Sequence, residues 1–77
     1  FTIYPNPNDG VFTVELISKD KEPFSLEIYN LLSEKVFSKK GISGSGINIS
    51  LSDLSAGMYI VKVIKGSNLY IQKVIIR

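Results

Sequence analysis

The chain contains no cysteine, no histidine and no tryptophan among its 77 residues, and only one methionine. It therefore lacks the commonest general base, the thiol nucleophile and the preferred zinc ligands. Its seven aspartates and glutamates are scattered over separate turns and strand faces, so no acid–base pair is predicted. We expect no catalytic residue, no metal site and no cofactor.

Long apolar runs are also absent. No segment approaches the 18 residues of a membrane-spanning helix, and no signal-peptide pattern is present. The net charge of +2 is dispersed, and no basic stripe alternates with aromatic residues, so nucleic-acid binding is not predicted. Because the first residue is Phe1, we interpret residues 1–77 as one domain taken from a longer polypeptide.

The residues that are present favour β-strands. Isoleucine, valine, phenylalanine and tyrosine dominate the apolar set, and three segments alternate strictly between apolar and polar residues. Those segments are 12–16, 24–28 and 47–51. Residues 58–64 are apolar on both faces apart from Lys62, which is typical of a covered central strand, and residues 69–76 have a similar pattern. A weaker strand is predicted at 36–37.

Turn-forming residues separate these segments at regular spacing. The predicted turns are 8–10, 19–23, 31–34, 41–46, 52–57 and 66–68. The last of them predicts a hairpin between 59–65 and 69–76. No segment has a long amphipathic helical pattern, although 52–55 is compatible with one helical turn that places Leu54 in the core. Six or seven short strands at this spacing predict an all-β antiparallel sandwich.

The N-terminal loop is the most constrained stretch. Pro5 and Pro7 fix φ and remove two backbone donors, and the residues that precede them are driven toward extended geometry. We expect a stiff lead-in followed by a strand that begins near Val11. The side-chain oxygens of Asn6, Asn8 and Asp9 are of the kind that binds calcium. The same residue types are favoured in a turn before a glycine, however, and the turn role is the stronger prediction.

The ordered set of motifs resembles the C-terminal sorting domain of proteins exported by the type IX (Por) secretion system of Bacteroidetes. Four groups carry the resemblance along the whole chain: Pro5-Asn6-Pro7 with Gly10; Asn30-Leu31-Leu32; Leu54 with Gly57 and Tyr59; and a basic aliphatic terminal strand with Lys73 and Arg77. One departure is Ser33, which stands where the family usually has glycine.

The resemblance implies a small immunoglobulin-like sandwich that follows an N-terminal cargo domain and is not an enzyme. It implies export across the outer membrane, reception by an outer-membrane shuttle, and removal by a sortase-like protease, with the cargo attached to the cell surface or released. The residues it marks for partner binding are Pro5, Asn6, Pro7, Gly10, Asn30, Leu31, Gly57, Tyr59, Lys73 and Arg77.

If residues 73–77 lie on an edge strand, we expect unpaired backbone groups there that can receive a partner strand. An alternative function is a carbohydrate- or matrix-binding module of an extracellular enzyme, with Tyr29 and Tyr70 on polar faces as its aromatic platform. The absence of tryptophan weighs against that alternative, and packing of the tyrosines at the sheet rims is favoured. A structural spacer and a weak dimer through a sheet edge also remain open.

Overall fold

A computed structural model describes residues 1–17 and 22–77, and this part of the chain forms two antiparallel β-sheets without a helix. The strands are β1 (Thr2–Tyr4), β2 (Val11–Glu15), β3 (Phe24–Tyr29), β4 (Lys35–Ile42), β5 (Gly46–Ser50), β6 (Gly57–Lys65) and β7 (Asn68–Ile76). One sheet has the order β1-β2-β5 and the other β4-β3-β6-β7. The predicted all-β fold of about seven strands is confirmed. Most of the predicted turn at 19–23 lies outside the described residues.

The core lies between the two sheets and is filled by every second residue of the longer strands. Strand β3 alternates between buried and half-buried positions along its whole length, and Tyr59, Val61 and Val63 of β6 are buried on the same side of their sheet. The other buried apolar residues are Ile3, Phe12, Val14, Leu16, Phe24, Leu26, Ile28, Ile42, Ile49, Val74 and Ile76. The predicted inward faces of the segments that became β2, β3 and β6 are therefore confirmed.

Strand β6 lies between β3 and β7, as expected of a covered central strand. The expectation that residues 69–76 form a similarly covered strand is wrong, because β7 is the edge strand of the four-stranded sheet. Its apolar residues Leu69, Ile71 and Ile75 are exposed. The predicted hairpin is confirmed: β6 and β7 pair in continuous register from Gly57 opposite Ile76 to Lys65 opposite Asn68.

Strands β1 and β4 differ from the prediction. The short β1 was not predicted as a strand, since its three residues carry little alternation. Strand β4 is longer than the predicted segment 36–37 and runs to Ile42, which is buried in the core. A register shift between β3 and β4 falls near Gly41, where φ is +65°. This irregularity removes the period of two on which strand prediction depends.

The predicted corner between β5 and β6 is present in a tighter form. The Leu54 N–H donates to the Leu51 carbonyl at 3.1 Å, which makes a single turn rather than a turn of helix, and Leu54 packs half-buried against the core. The Tyr59 hydroxyl donates to the Ser55 carbonyl at 2.7 Å. A buried tyrosine bonded to the backbone a few residues upstream fixes the start of β6.

Candidate functional site

The N-terminal loop crosses from β1 to the outer edge of β7 and binds there. The Asn6 Nδ2 donates to the Lys73 carbonyl at 3.1 Å, and the Ile75 N–H donates to Asn6 Oδ1 at 3.0 Å. The Asn8 N–H donates to the Ile75 carbonyl at 3.0 Å, and the Arg77 N–H donates to the Asn8 carbonyl at 2.7 Å. We call this set of four hydrogen bonds the edge clamp.

The edge clamp corrects the expectation for residues 73–77. That segment does lie on an edge strand, but its outward backbone groups from the Lys73 carbonyl onward are not free for a partner, because Asn6 and Asn8 occupy them. The side-chain amide of Asn6 imitates the donor and acceptor of a neighbouring strand. These two bonds join Asn6 to residues that lie 67 and 69 positions further along the chain, so both ends of the sequence form one surface.

The loop is held in this position by a second set of contacts centred on Asn8. The Asn8 side chain is buried, donates to the Pro5 carbonyl at 2.9 Å and accepts the Gly10 N–H at 2.8 Å. Gly10 has φ of +106°, and a Cβ there would approach the Leu51 carbonyl oxygen to 2.8 Å. Glycine is therefore required at position 10 by both backbone conformation and space.

Two of the three side chains proposed as calcium ligands, Asn6 and Asn8, have other partners for their oxygens. Both amide oxygens accept backbone N–H groups, that of Asn6 from Ile75 and that of Asn8 from Gly10. The stronger prediction, a turn before Gly10, agrees with this arrangement. The described residues contain no cluster of three or more acidic side chains that would hold a metal ion.

The β3–β4 turn is organised by Asn30. Its Oδ1 accepts the N–H groups of Leu32 and Glu34, both at 2.9 Å, and its Nδ2 donates to Glu34 Oε1 at 2.8 Å. This arrangement projects Leu31 and Leu32 into solvent with 65% and 81% exposure. Ser33 has φ of +65°, so the turn does adopt the left-handed conformation that the family's usual glycine favours.

The surface of the four-stranded sheet that faces away from the core is called the outer face here. It carries the residues opposite to the buried set on β3, β6 and β7. They include Glu27, Tyr29, Ile60, Lys62, Leu69, Ile71, Lys73 and Ile75. A shallow concavity of about 340 Å³ lies on this face beside the β3–β4 turn, and its lining includes Asn30, Leu31 and Lys62. Part of the Asn30-Leu31-Leu32 motif therefore borders the outer face.

A polar network rigidifies the β3 side of the outer face. The Tyr29 hydroxyl donates to Glu27 Oε1 at 2.7 Å, and Lys35 Nζ lies 3.2 Å from Glu27 Oε2. The Tyr29 hydroxyl, followed by Lys35, holds the pKa of the Glu27 carboxyl below its ordinary value. The same hydrogen bond raises the pKa of Tyr29. Lys62 Nζ lies 5.0 Å from the centroid of the Tyr29 ring, within cation–π range.

The residues singled out from the sequence are either buried or at the surface. Gly10 and Tyr59 are buried, and their contacts are internal. Gly57 is exposed and begins β6 with φ of +156°. The remaining ones are at the surface and form two clusters. Asn6, Lys73 and Arg77 meet at the edge clamp, with Pro5 and Pro7 flanking Asn6 in the chain, and Asn30 and Leu31 line the concavity.

Sequence reasoning missed the importance of Asn8, Lys62 and Ile71. Asn8 was considered only as a turn or calcium residue, and no local signal reports that its backbone pairs with Ile76 as an isolated parallel bridge. Lys62 and Ile71 face each other across β6 and β7 on the outer face. Their position follows from the period of two once β7 is known to be an edge strand.

Comparison with protein families identifies the family of this chain. A family model described as the secretion system C-terminal sorting domain matches residues 2–77. The chain belongs to this family. A comparison with curated proteins gives no match.

The sorting domain is a C-terminal secretion signal of the type IX secretion system. Such signals mark proteins for export across the outer membrane to the cell surface or the extracellular space. The domain is a non-catalytic targeting module that acts with the secretion machinery and lies C-terminal to a cargo domain. The resemblance found in the motifs is therefore confirmed.

The alternative of a sugar-binding platform is not favoured. Tyr29 lies on the outer face, whereas Tyr70 is paired with the inward residue Val63 and therefore lies on the other face of the same sheet. The Tyr70 ring packs edge-on against Phe1 with the centroids 6.4 Å apart. The two rings therefore cannot stack against one ligand together.

Proposed function

We propose that the export machinery recognises this sorting domain as a folded surface, made of the outer face and the edge clamp. Residues 1–77 act as a single sorting domain behind an N-terminal cargo domain. An outer-membrane shuttle binds the surface, and a sortase-like protease then separates the domain from the cargo. The chain itself supplies shape and charge and carries out no chemistry.

The edge clamp is the observation that supports this proposal. It joins the first and the last family motif, which are nearly the whole chain apart in sequence, through direct hydrogen bonds between Asn6 and β7. A linear peptide signal would not require such distant residues to meet. A receptor that contacts the clamped end of β7 therefore distinguishes a folded domain from an unfolded one.

The exposed side chains of this surface supply contacts of two kinds. Leu31, Ile71 and Ile75 are exposed apolar residues, which is the composition of a protein-docking patch. Lys73 and Arg77 are exposed cations at the clamped end of β7. Charged residues at the rim of an apolar contact orient a partner and accelerate its association.

The proposal is tested with a fluorescent reporter fused to the N-terminus of the chain in a host with a working type IX system. We expect Leu31→Asp and Lys73→Glu to leave the reporter in the periplasm, because both side chains are exposed on the proposed surface. The matched control is Ser50→Glu, an exposed strand position of the three-stranded sheet. Normal export of both variants, with each domain folded, would overturn the proposed surface.

A further inference from the structure

The edge clamp covers only the C-terminal half of the β7 edge. Its hydrogen bonds show that the backbone groups of Lys73, Ile75 and Arg77 point away from β6. In a regular antiparallel strand this direction repeats every second residue, and the β6–β7 register is unbroken. The N–H and C=O groups of Leu69 and Ile71 therefore also point outward. Within residues 1–17 and 22–77 no hydrogen bond satisfies these groups.

We propose that this open segment, from Leu69 to the N–H of Lys73, is where an extended segment of an export-machinery protein adds a fifth strand to the four-stranded sheet. The inference rests on the proposed function and specifies how that recognition is made. Strand addition supplies affinity through main-chain hydrogen bonds and specificity through side chains at alternate positions. Because the open segment is short, we expect it to bind only partner strands whose side chains match its few exposed positions.

The side chains beside the open segment define the chemistry of the incoming strand. Leu69 and Ile71 are 56% and 59% exposed and lie on the outer face, next to where the added strand would place its own outward residues. Apolar residues opposite them would remove both side chains from water. The outward positions of the partner segment opposite Leu69 and Ile71 are therefore apolar.

The charge of Lys73 determines which residue type fits at the next position of the partner strand. Lys73 follows Ile71 on the outer face, and Lys62 lies directly across from Ile71 on β6. Among residues 1–17 and 22–77, no carboxylate lies within ion-pair distance of Lys73. A glutamate or aspartate opposite Lys73 completes a cross-strand charge pair. The partner is an extended segment with apolar outward residues and one acidic residue.

The extent of the segment is limited on both sides. Beyond the Lys73 N–H, the carbonyl of Lys73 already accepts a hydrogen bond from Asn6. At the other end β7 begins at Asn68, directly after the turn at Gly66 and Ser67. About five residues of partner strand therefore fit, each rising about 3.4 Å.

The sharpest test is Ile71→Pro in the reporter fusion. Because the Ile71 N–H points away from β6, proline removes an outward donor and leaves the β6–β7 ladder intact. Tyr70 is already extended, as a residue before proline must be. The matched control is Ser38→Pro on β4, the opposite edge of the same sheet, where Ser38 faces Glu27 in a pair whose backbone groups point away from each other.

We expect Ile71→Pro to lower export at least about tenfold, as loss of a central contact does, with Ser38→Pro and Ile71→Val near wild type. A thermal melt of each domain reports whether it is folded. If Ile71→Pro fails to fold, Ile71→Glu replaces it: the position is exposed, and the new carboxylate repels an acidic partner. Wild-type export of the folded variant refutes strand addition, whereas an unexported wild-type fusion refutes the proposed function itself.

A second copy of the chain is the competing occupant. Two β7 edges related by a two-fold axis at Tyr70 would pair Leu69 of one copy with Ile71 of the other and satisfy the open groups of both. Sedimentation of the isolated chain up to millimolar concentration detects this dimer. If Ile71→Pro abolishes a dimer and leaves export unchanged, the edge serves self-association and the proposal is wrong.

Discussion

Replacing Asn6 by alanine removes the two side-chain hydrogen bonds of the edge clamp, those to the Lys73 carbonyl and from the Ile75 N–H. Each is exposed, and a hydrogen bond contributes a net ~0.5–1.5 kcal/mol. The two bonds together would contribute ~1–3 kcal/mol, and because both are exposed we expect the free energy of unfolding to fall by the lower part of that range, about 1–2 kcal/mol. For a domain of this size that lowers Tm by about 4–16 °C.

The lost stabilisation should also be confined to the edge clamp, which hydrogen exchange at individual amides can show. In the Asn6→Ala variant the Ile75 amide loses its acceptor and should exchange faster, while the Arg77 amide keeps its bond to the Asn8 carbonyl. Asn6→Asp keeps the acceptor and loses the donor, so its stability should lie between that of wild type and that of the alanine variant.

Asn68→Ala is the matched control, because Asn68 is an exposed asparagine on β7, the strand that Asn6 binds. We expect a change within about 0.5 kcal/mol for it. Chemical denaturation and exchange of the 77-residue chain measure all three variants. An Asn6→Ala variant as stable as wild type, with an unchanged exchange rate at Ile75, would refute the clamp as a stabilising contact.

Three further predictions concern single side chains. Ser33→Gly should stabilise the chain by about 1 kcal/mol, since φ of +65° disfavours serine; an unchanged or lower Tm would contradict this. Gly10→Ala should cost at least about 2 kcal/mol, because its Cβ collides with the Leu51 carbonyl; a wild-type denaturation midpoint would be the opposing result. Glu27 has a lowered folded-state pKa, so its contribution is present above its ordinary pKa of 4.5 and is lost as the pH falls through the folded value. Glu27→Gln should therefore show a shallower loss of stability below about pH 4.5, and acid titrations of equal slope would argue against it.

The sequence predicts the layers of this fold better than its edges. Strands β2, β3 and β6 bury every second residue, so the period of two is legible without a structure. The sequence does not predict that β7 is an edge strand, because an apolar residue such as Ile71 gives the same local pattern whether a neighbouring strand or a receptor covers it. The clamp that distinguishes these cases is a contact between the two ends of the chain.

The motifs predicted some residues of the candidate site, whereas the contacts between these residues could be seen only in the structure. Lys73 and Asn6 were singled out separately, but no pattern indicated that one side chain binds the backbone of the other. Tyr59 and Gly10 were also singled out, and their buried positions explain them through packing and backbone conformation. A motif thus marks positions the fold needs as well as positions a partner contacts.

The central claim is that the secretion machinery reads this domain in its folded form. The most direct measurement compares the location of a reporter fused to the wild-type chain with that of the same fusion carrying Val61→Asp. Val61 is fully buried. Burying an unpaired carboxylate there costs several kcal/mol, which is comparable with the whole stability of about 4–11 kcal/mol that a chain of this length has, so we expect the variant to be unfolded. The account predicts the wild-type reporter outside the cell and the Val61→Asp reporter in the periplasm. Equal export of the two fusions, with the variant domain shown to be unfolded, would contradict it.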